Sequence, residues 1–150
     1  MRIERDIIVR AFAPADQDDA RALILEGFRE RFGTIDEALN PDLRDIATSY
    51  ANSRFLVAES GARIIGTGAM TTECEGVGRV QRMSTASDHR RRGIATSVLR
   101  ELVERARGEQ VRTVILDTNA DWHDAIACYL RFGFAIVSHE RGGVQFALDL

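Results

Sequence analysis

An α/β fold is what this 150-residue sequence predicts, and three observations predict it. Short apolar runs rich in β-branched residues alternate with segments of helical periodicity. Paired runs joined by glycine-containing connections read as antiparallel hairpins. One strand–helix–strand passage, through the helix at Ile94 to Arg107, demands a parallel pair.

In chain order, Ile7-Ile8-Val9-Arg10-Ala11-Phe12 reads as a first strand. Asp16 stands where it can cap a helix running to about Phe32, with Asp18 and Asp19 in its first turn, where negative charge suits the macrodipole. Ala20, Leu23, Ile24, Gly27 and Phe28 share one face at helical spacing. A shorter helix is expected after Asn40-Pro41, from Asp42 to Ala51. Phe55 to Glu59 and Arg63 to Met70 are strands joined by Ser60-Gly61-Ala62. Gly66 and Gly68 lie on one face of the second strand, which invites a closely packed helix. A third strand, Gly78 to Ser84, delivers the chain to Asp88-His89-Arg90-Arg91-Arg92-Gly93. The next helix puts Ile94, Ala95, Val98, Leu99, Leu102, Val103 and Ala106 on one side, with Glu101 four residues before Arg105 on the other. Val111 to Asp117 is a strand, and Asp121 is placed to cap a last helix that Gly133 ends in a left-handed stop. Phe134 to Ser138 and Val144 to Leu148 pair around Arg141-Gly142-Gly143. The order β-α-α-β-β-β-α-β-α-β-β has no repeat, low-complexity segment or linker, so residues 1–150 read as a single domain.

Composition narrows the functional classes. Apolar residues make up 45% and charged residues 29%, a soluble globular balance with enough apolar material for a core without disulfides or metal. No apolar run approaches the roughly 20 residues that span a bilayer, and the charged Met1-Arg2-Ile3-Glu4-Arg5-Asp6 has no signal-peptide character. The expectation is a cytoplasmic protein with no membrane partner. Cys74 and Cys128 lack metal-ligand spacing, and Cys128 falls in an apolar helical run that reads as core. All 20 basic residues are arginine, which excludes a Schiff-base lysine, a P-loop lysine and self-acetylation on lysine. A net charge of −3, with no aromatic residues interleaved among Arg90-Arg91-Arg92, argues against nucleic acid as a partner.

The basic turn is where the chemistry concentrates. A strand, a turn with three arginines and a glycine, then a helix with free first amides together make an anion site. Gly93 removes the Cβ that would keep a ligand from the backbone, and arginine forks suit phosphate oxygens. Arg90-Arg91-Arg92-Gly93-Ile94-Ala95 resembles the pyrophosphate signature Gln/Arg-x-x-Gly-x-Gly/Ala of the GNAT superfamily of acyl-CoA-dependent N-acyltransferases. A second resemblance follows at the distance the family shows: Asn119 after the second parallel strand, then Ala125-Ile126-Ala127-Cys128-Tyr129 and the stop Gly133-Phe134. The element order resembles that of the family over nearly the whole chain.

The resemblance implies a mixed, mostly antiparallel sheet with helices on both faces and a central parallel strand pair that splays apart to admit pantetheine. It implies acetyl-CoA as cofactor, no metal, and an amine-bearing acceptor. The backbone of Met83, Ser84 and Thr85 would pair with the pantetheine, with the amide near Met83 polarising the thioester carbonyl. Arg90, Arg91, Arg92, Gly93, Ile94 and Ala95 would hold the pyrophosphate, and Asn119 the pantetheine arm or its own backbone neighbours, unless it is an ordinary helix-start residue. Tyr129 matches the family's general acid, which protonates the departing thiolate; from spacing alone it is equally a tyrosine on a buried helix face. Many members carry a basic glutamate near the position of Arg79 or Val80, and this chain has none there. Glu26, Glu30, Glu73, Glu75, His123 and a water chain to solvent are the remaining candidates for the base. Asp36, Glu37, Glu73 and Glu75 could attract a cationic acceptor or be solvated loop charges. Two readings stand: an N-acetyltransferase acting on a small molecule, a peptide N-terminus or a lysine, and a non-catalytic CoA-binding module. The terminal strands leave a homodimer open.

Overall fold

The computed structural model describes residues 6–150 apart from the side chain of Glu37, so the charged segment 1–5 lies outside the described residues. Seven strands form one sheet in the order β1-β2-β3-β4-β5-β7-β6, with β1 Ile7–Ala11, β2 Arg54–Ser60, β3 Arg63–Cys74, β4 Val77–Thr85, β5 Thr113–Asn119, β6 Ala135–Glu140 and β7 Gly143–Asp149. Every neighbouring pair is antiparallel except β4 and β5. Four helices accompany it: α1 Gln17–Phe32, α2 Ile46–Ser49, α3 Ile94–Arg107 and α4 His123–Phe132. All three hairpins turn on positive φ, at Gly61 (62°), at Gly76 (78°) and at Arg141 and Gly142 (52° and 77°).

Strand alternation divides the core into two clusters. Phe55 and Val57 of β2 pack with Ala20, Ile24, Leu43 and Ile46 beneath α1 and α2. Leu56 and Ala58 pack with Ile94, Val98 and Leu102 of α3 and with Tyr129 of α4. The expected close approach at β3 is present. A Cβ on Gly66 would sit 2.7 Å from Ile94 Cγ2, and one on Gly68 would sit 2.6 Å from Met83 Sδ and 2.7 Å from Val98 Cγ1. Helix α3 fills that space together with the Met83 side chain of β4.

Several local expectations are corrected. Asp16 does not cap α1 with its side chain. Its carboxylate instead accepts from the Ala13 N–H at 2.8 Å and takes both ends of the Arg10 guanidinium, so a 3₁₀ turn at Pro14–Asp16 precedes the helix. The helix expected from Asp42 to Ala51 is a 3₁₀ turn at Pro41–Arg44 and the single turn of α2. Asp45 breaks it with extended backbone (φ −148°, ψ 86°) and then caps α2 through the Thr48 N–H. Asp121 does not cap α4, whose N-cap is Trp122 without a side-chain bond. Strand β5 begins at Thr113, two residues later than expected, and the Val111 N–H turns back to Ala106 at the end of α3. Cys128 is half-buried rather than core, and Cys74 is exposed.

Candidate active site

The parallel pair separates almost as soon as it forms. Strands β4 and β5 are paired only at Val77, Gly78 and Arg79 against Thr113, Val114 and Ile115. Beyond Arg79, β4 runs on to Thr85 with β3, and β5 runs on to Asn119 with β7. The two strands therefore diverge over their C-terminal halves, where Met83, Ser84 and Thr85 line one edge and Asn119 ends the other. The Ala86 N–H turns to Ile65 on β3, so by alternation the Thr85 N–H faces away from β3 and toward the gap.

At the gap's mouth the chain forms a cradle. Arg91 and Gly93 both have positive φ, 65° and 81°, and α3 starts at Ile94. The first backbone bond of the helix runs from the Ser97 N–H to the Gly93 carbonyl. Among the described residues, the N–H groups from Arg91 through Thr96 have no protein acceptor. A Cβ on Gly93 would meet no protein atom within 4 Å, so the space in front of these amides is open. The Arg91 and Arg92 side chains are exposed and make no ion pair among the described residues. Arg90 is bound to Glu30 of α1. Asp88 fixes the start of the turn through two bonds from Arg63 of β3, at 2.8 and 3.1 Å, which hold its carboxyl well below the usual range. Free amides, a helix N-terminus and unpaired guanidinium groups fit a diphosphate.

Tyr129 is 9% exposed and packs between Phe134 and Phe146, with ring centroids 5.9 and 5.7 Å away. It shares an apolar cluster with Met83. Burial raises the phenol's pKa, with Cys128 adding to the effect, so the hydroxyl keeps its proton. Among the described residues no protein group bonds to that hydroxyl. The atom is not among the buried polar atoms left without a partner, so the hydroxyl opens to accessible space instead of being sealed in the core.

The candidates for a base and for acceptor attraction are dispersed. Glu26 pairs with Arg29, Glu30 with Arg90, and Glu73 with Arg79, which also holds Asp117 at 2.7 Å across the strand divergence. His123 and Glu75 are exposed, Asp36 accepts from the Ala38 N–H within its own loop, and the side chain of Glu37 lies outside the described residues. Among the described residues no cluster of three or more His, Cys, Asp or Glu is placed to hold a metal. Nor, among those residues, is any helix long and apolar enough to cross a membrane.

Residue patterns did not point to Arg82. It interrupts β4: Thr67 pairs with Ser84 and Ala69 with Gln81, which leaves Arg82 and Met83 together opposite Gly68 as a bulge. Its φ is 59°, a conformation that costs an ordinary L-residue roughly 1–2 kcal/mol. Its guanidinium makes bonds of 3.0 and 2.6 Å to Asp42 and 3.0 Å to Asn40, and lies 5.8 Å from the Phe28 ring. Burial alone would raise the pKa of Asp42, but bonds from Arg82 and Tyr50 outweigh it and hold the carboxyl below its usual value. The converse applies to Tyr50, which burial and Asp42 push up to about 12.

A family model described as the Acetyltransferase (GNAT) family matches residues 18–134, from α1 to the end of α4. The chain belongs to this family. Among curated GNAT relatives, rat N-acetyltransferase 8 is 36% identical over 108 residues, covering 67% of this chain and 49% of that protein. Mouse N-acetyltransferase 8F1 is 36% identical over 106 residues, covering 65% and 48%. The chain thus spans about half the length of the curated relatives it matches. Solved structures agree in fold. A GNAT acetyltransferase from Staphylococcus aureus Mu50 has a TM-score of 0.87 at 17% identity, over 95% of this chain and 98% of that one. PaiA N-acetyltransferase from Thermoplasma acidophilum, solved in complex with coenzyme A, has a TM-score of 0.83 at 14% identity, over 96% and 99%. The mixed sheet with its divergent parallel pair is therefore the GNAT fold.

Proposed function

We propose that this chain is an N-acetyltransferase that moves the acetyl group of acetyl-CoA to a primary amine by direct attack in a ternary complex. The observation that carries the reading is the cradle of unbonded amides from Arg91 to Thr96, set at the mouth of the strand divergence. Acetyl-CoA supplies an activated acyl group as a thioester, and the remaining work falls to the protein. Backbone N–H groups of the turn and the side chains of Arg91 and Arg92 hold the pyrophosphate. Arg90 joins them in exchange for Glu30. Met83, Ser84 and Thr85 bind pantetheine along their backbone, and Asn119 supports it from the facing edge. The Met83 N–H polarises the carbonyl, and the retained proton of Tyr129 passes to the leaving sulfur.

The Tyr129 hydroxyl, bonded to no protein group among the described residues and not sealed in the core, favours an enzyme over a non-catalytic CoA-binding module. The deciding experiment incubates the protein with acetyl-CoA and pooled amines and peptides, reading free thiol release and the mass of acetylated products. Thiol release that depends on an amine is the expected result. Tight CoA binding with no amine-dependent thiol release would leave the binding module as the function.

A further inference from the structure

The Arg82 cluster neither binds a phosphate nor offers a free donor, yet it is built at more cost than its surroundings. The side chain is 14% exposed, its backbone is left-handed, and both its ends are tied. At the backbone end, the wholly buried Thr67 donates its hydroxyl to the Arg82 carbonyl at 2.8 Å. At the side-chain end, Asp42 and Asn40 take the guanidinium, and the Tyr50 hydroxyl donates to the same Asp42 at 2.6 Å. A non-glycine residue persists in such a conformation only when its surroundings over-determine it, and such residues gather at functional sites.

We propose that Arg82 is a positioning residue for the transfer step. Its pairing with Asp42 and Asn40 holds the β4 bulge in the turn that aims the Met83 N–H at the thioester carbonyl. The inference rests on the reading of Met83 as the polarising amide. The geometry supports it because Met83 is the second residue of the bulge, so its peptide orientation follows directly from the Arg82 dihedrals. The far side of Met83 is fixed as well, since its sulfur fills the space left by the missing Gly68 side chain. Without that anchor the backbone at position 82 is no longer confined to one conformation, and the amide is free to rotate.

Difference infrared spectroscopy of bound acetyl-CoA, labelled with ¹³C at the thioester carbonyl, reads the hydrogen bond directly. It is combined with kcat, KM, CoA calorimetry and thermal melting of the whole chain. Arg82→Gly accepts a positive φ without strain while removing the guanidinium, and Asp42→Asn keeps the shape while weakening the pairing. Both variants should bind CoA within about threefold of wild type, lose most of the carbonyl shift, and fall about tenfold in kcat with little change in KM for acetyl-CoA. Arg82→Lys should recover part of the shift. A wild-type shift and wild-type kcat in Arg82→Gly would overturn the proposal, whatever the melting temperature does, because the arginine would then be structural only. Should Arg82→Gly fail to fold, Asp42→Asn decides by the same two readings. A wild-type complex with no shift from free acetyl-CoA would overturn the Met83 assignment, and the proposal with it.

Discussion

The rim of the strand divergence and its interior both depend on arginine, and they use it in opposite ways. At the rim, Arg91 and Arg92 are exposed and unpaired among the described residues, beside amides with no acceptor. In the interior, Arg82 is mostly buried and bonded at Asp42 and Asn40, and its carbonyl is taken by Thr67. Unsatisfied donors in water cost little and wait for a ligand. A buried guanidinium must be satisfied by the protein, so it can only hold structure. Rim changes should therefore appear in binding constants and interior changes in turnover.

The largest expected effect tests the rim. Gly93→Val places a branched side chain in the open space before the amides and in a left-handed conformation that valine resists. CoA affinity should fall roughly 100-fold or more, corresponding to about 2.7 kcal/mol or more. Unchanged affinity by calorimetry in a folded variant would mean the diphosphate lies elsewhere. Next comes the interior: Tyr129→Phe should lower kcat by roughly 100-fold while CoA binding hardly changes. Because burial raises the phenol above its ordinary 10.0, the wild-type pH–rate profile should show no alkaline loss attributable to Tyr129 up to that value. Near-normal turnover in the phenylalanine variant would return Tyr129 to the core.

A smaller effect separates the arginines of the rim from one another. Arg92→Glu should weaken CoA by about tenfold and leave a pantetheine fragment without the diphosphate nearly unaffected. Equal losses for both ligands would remove the arginine from the phosphate site. The smallest effect concerns acid stability. Asp42 titrates below its ordinary 3.8 in the folded chain, so its contribution is complete above that pH and is lost as pH falls through the lower, folded value. Asp42→Asn should therefore narrow the gap in melting temperature between about pH 6 and about pH 3. An unchanged gap would show that the Arg82 pairing does not contribute to folding.

Legibility followed the range of the interactions involved. Helix α3 buries its expected apolar stripe except for Ala95, which is half-buried, because helical period and packing face are local properties. The cradle was legible for the same reason, as strand, turn and helix adjoin in sequence. Asp16 and Asp121 have the right chemistry for caps, yet Arg10 claims the first and the second makes no cap bond. The brace on Arg82 was hidden, since a polar residue within a strand reads as a solvent position. Its partner Asp42 stands 40 residues away, in a segment whose periodicity suggested a regular helix. The one faint signal was Gly68, whose bare face gives room for a bulge on the facing strand.

The glycine at position 66 extends this dependence beyond the gap. It lies beneath α3 and beside Thr85 on β4, and one added methyl would press on Ile94, the first residue of α3. The sheet thus acts as an anvil for the helix that presents the amides, and the cradle inherits its stiffness from a strand two places away from β5 in the sheet. A screen for variants with altered CoA affinity should recover heat-sensitive alleles at Gly66, distant in sequence from every arginine of the rim.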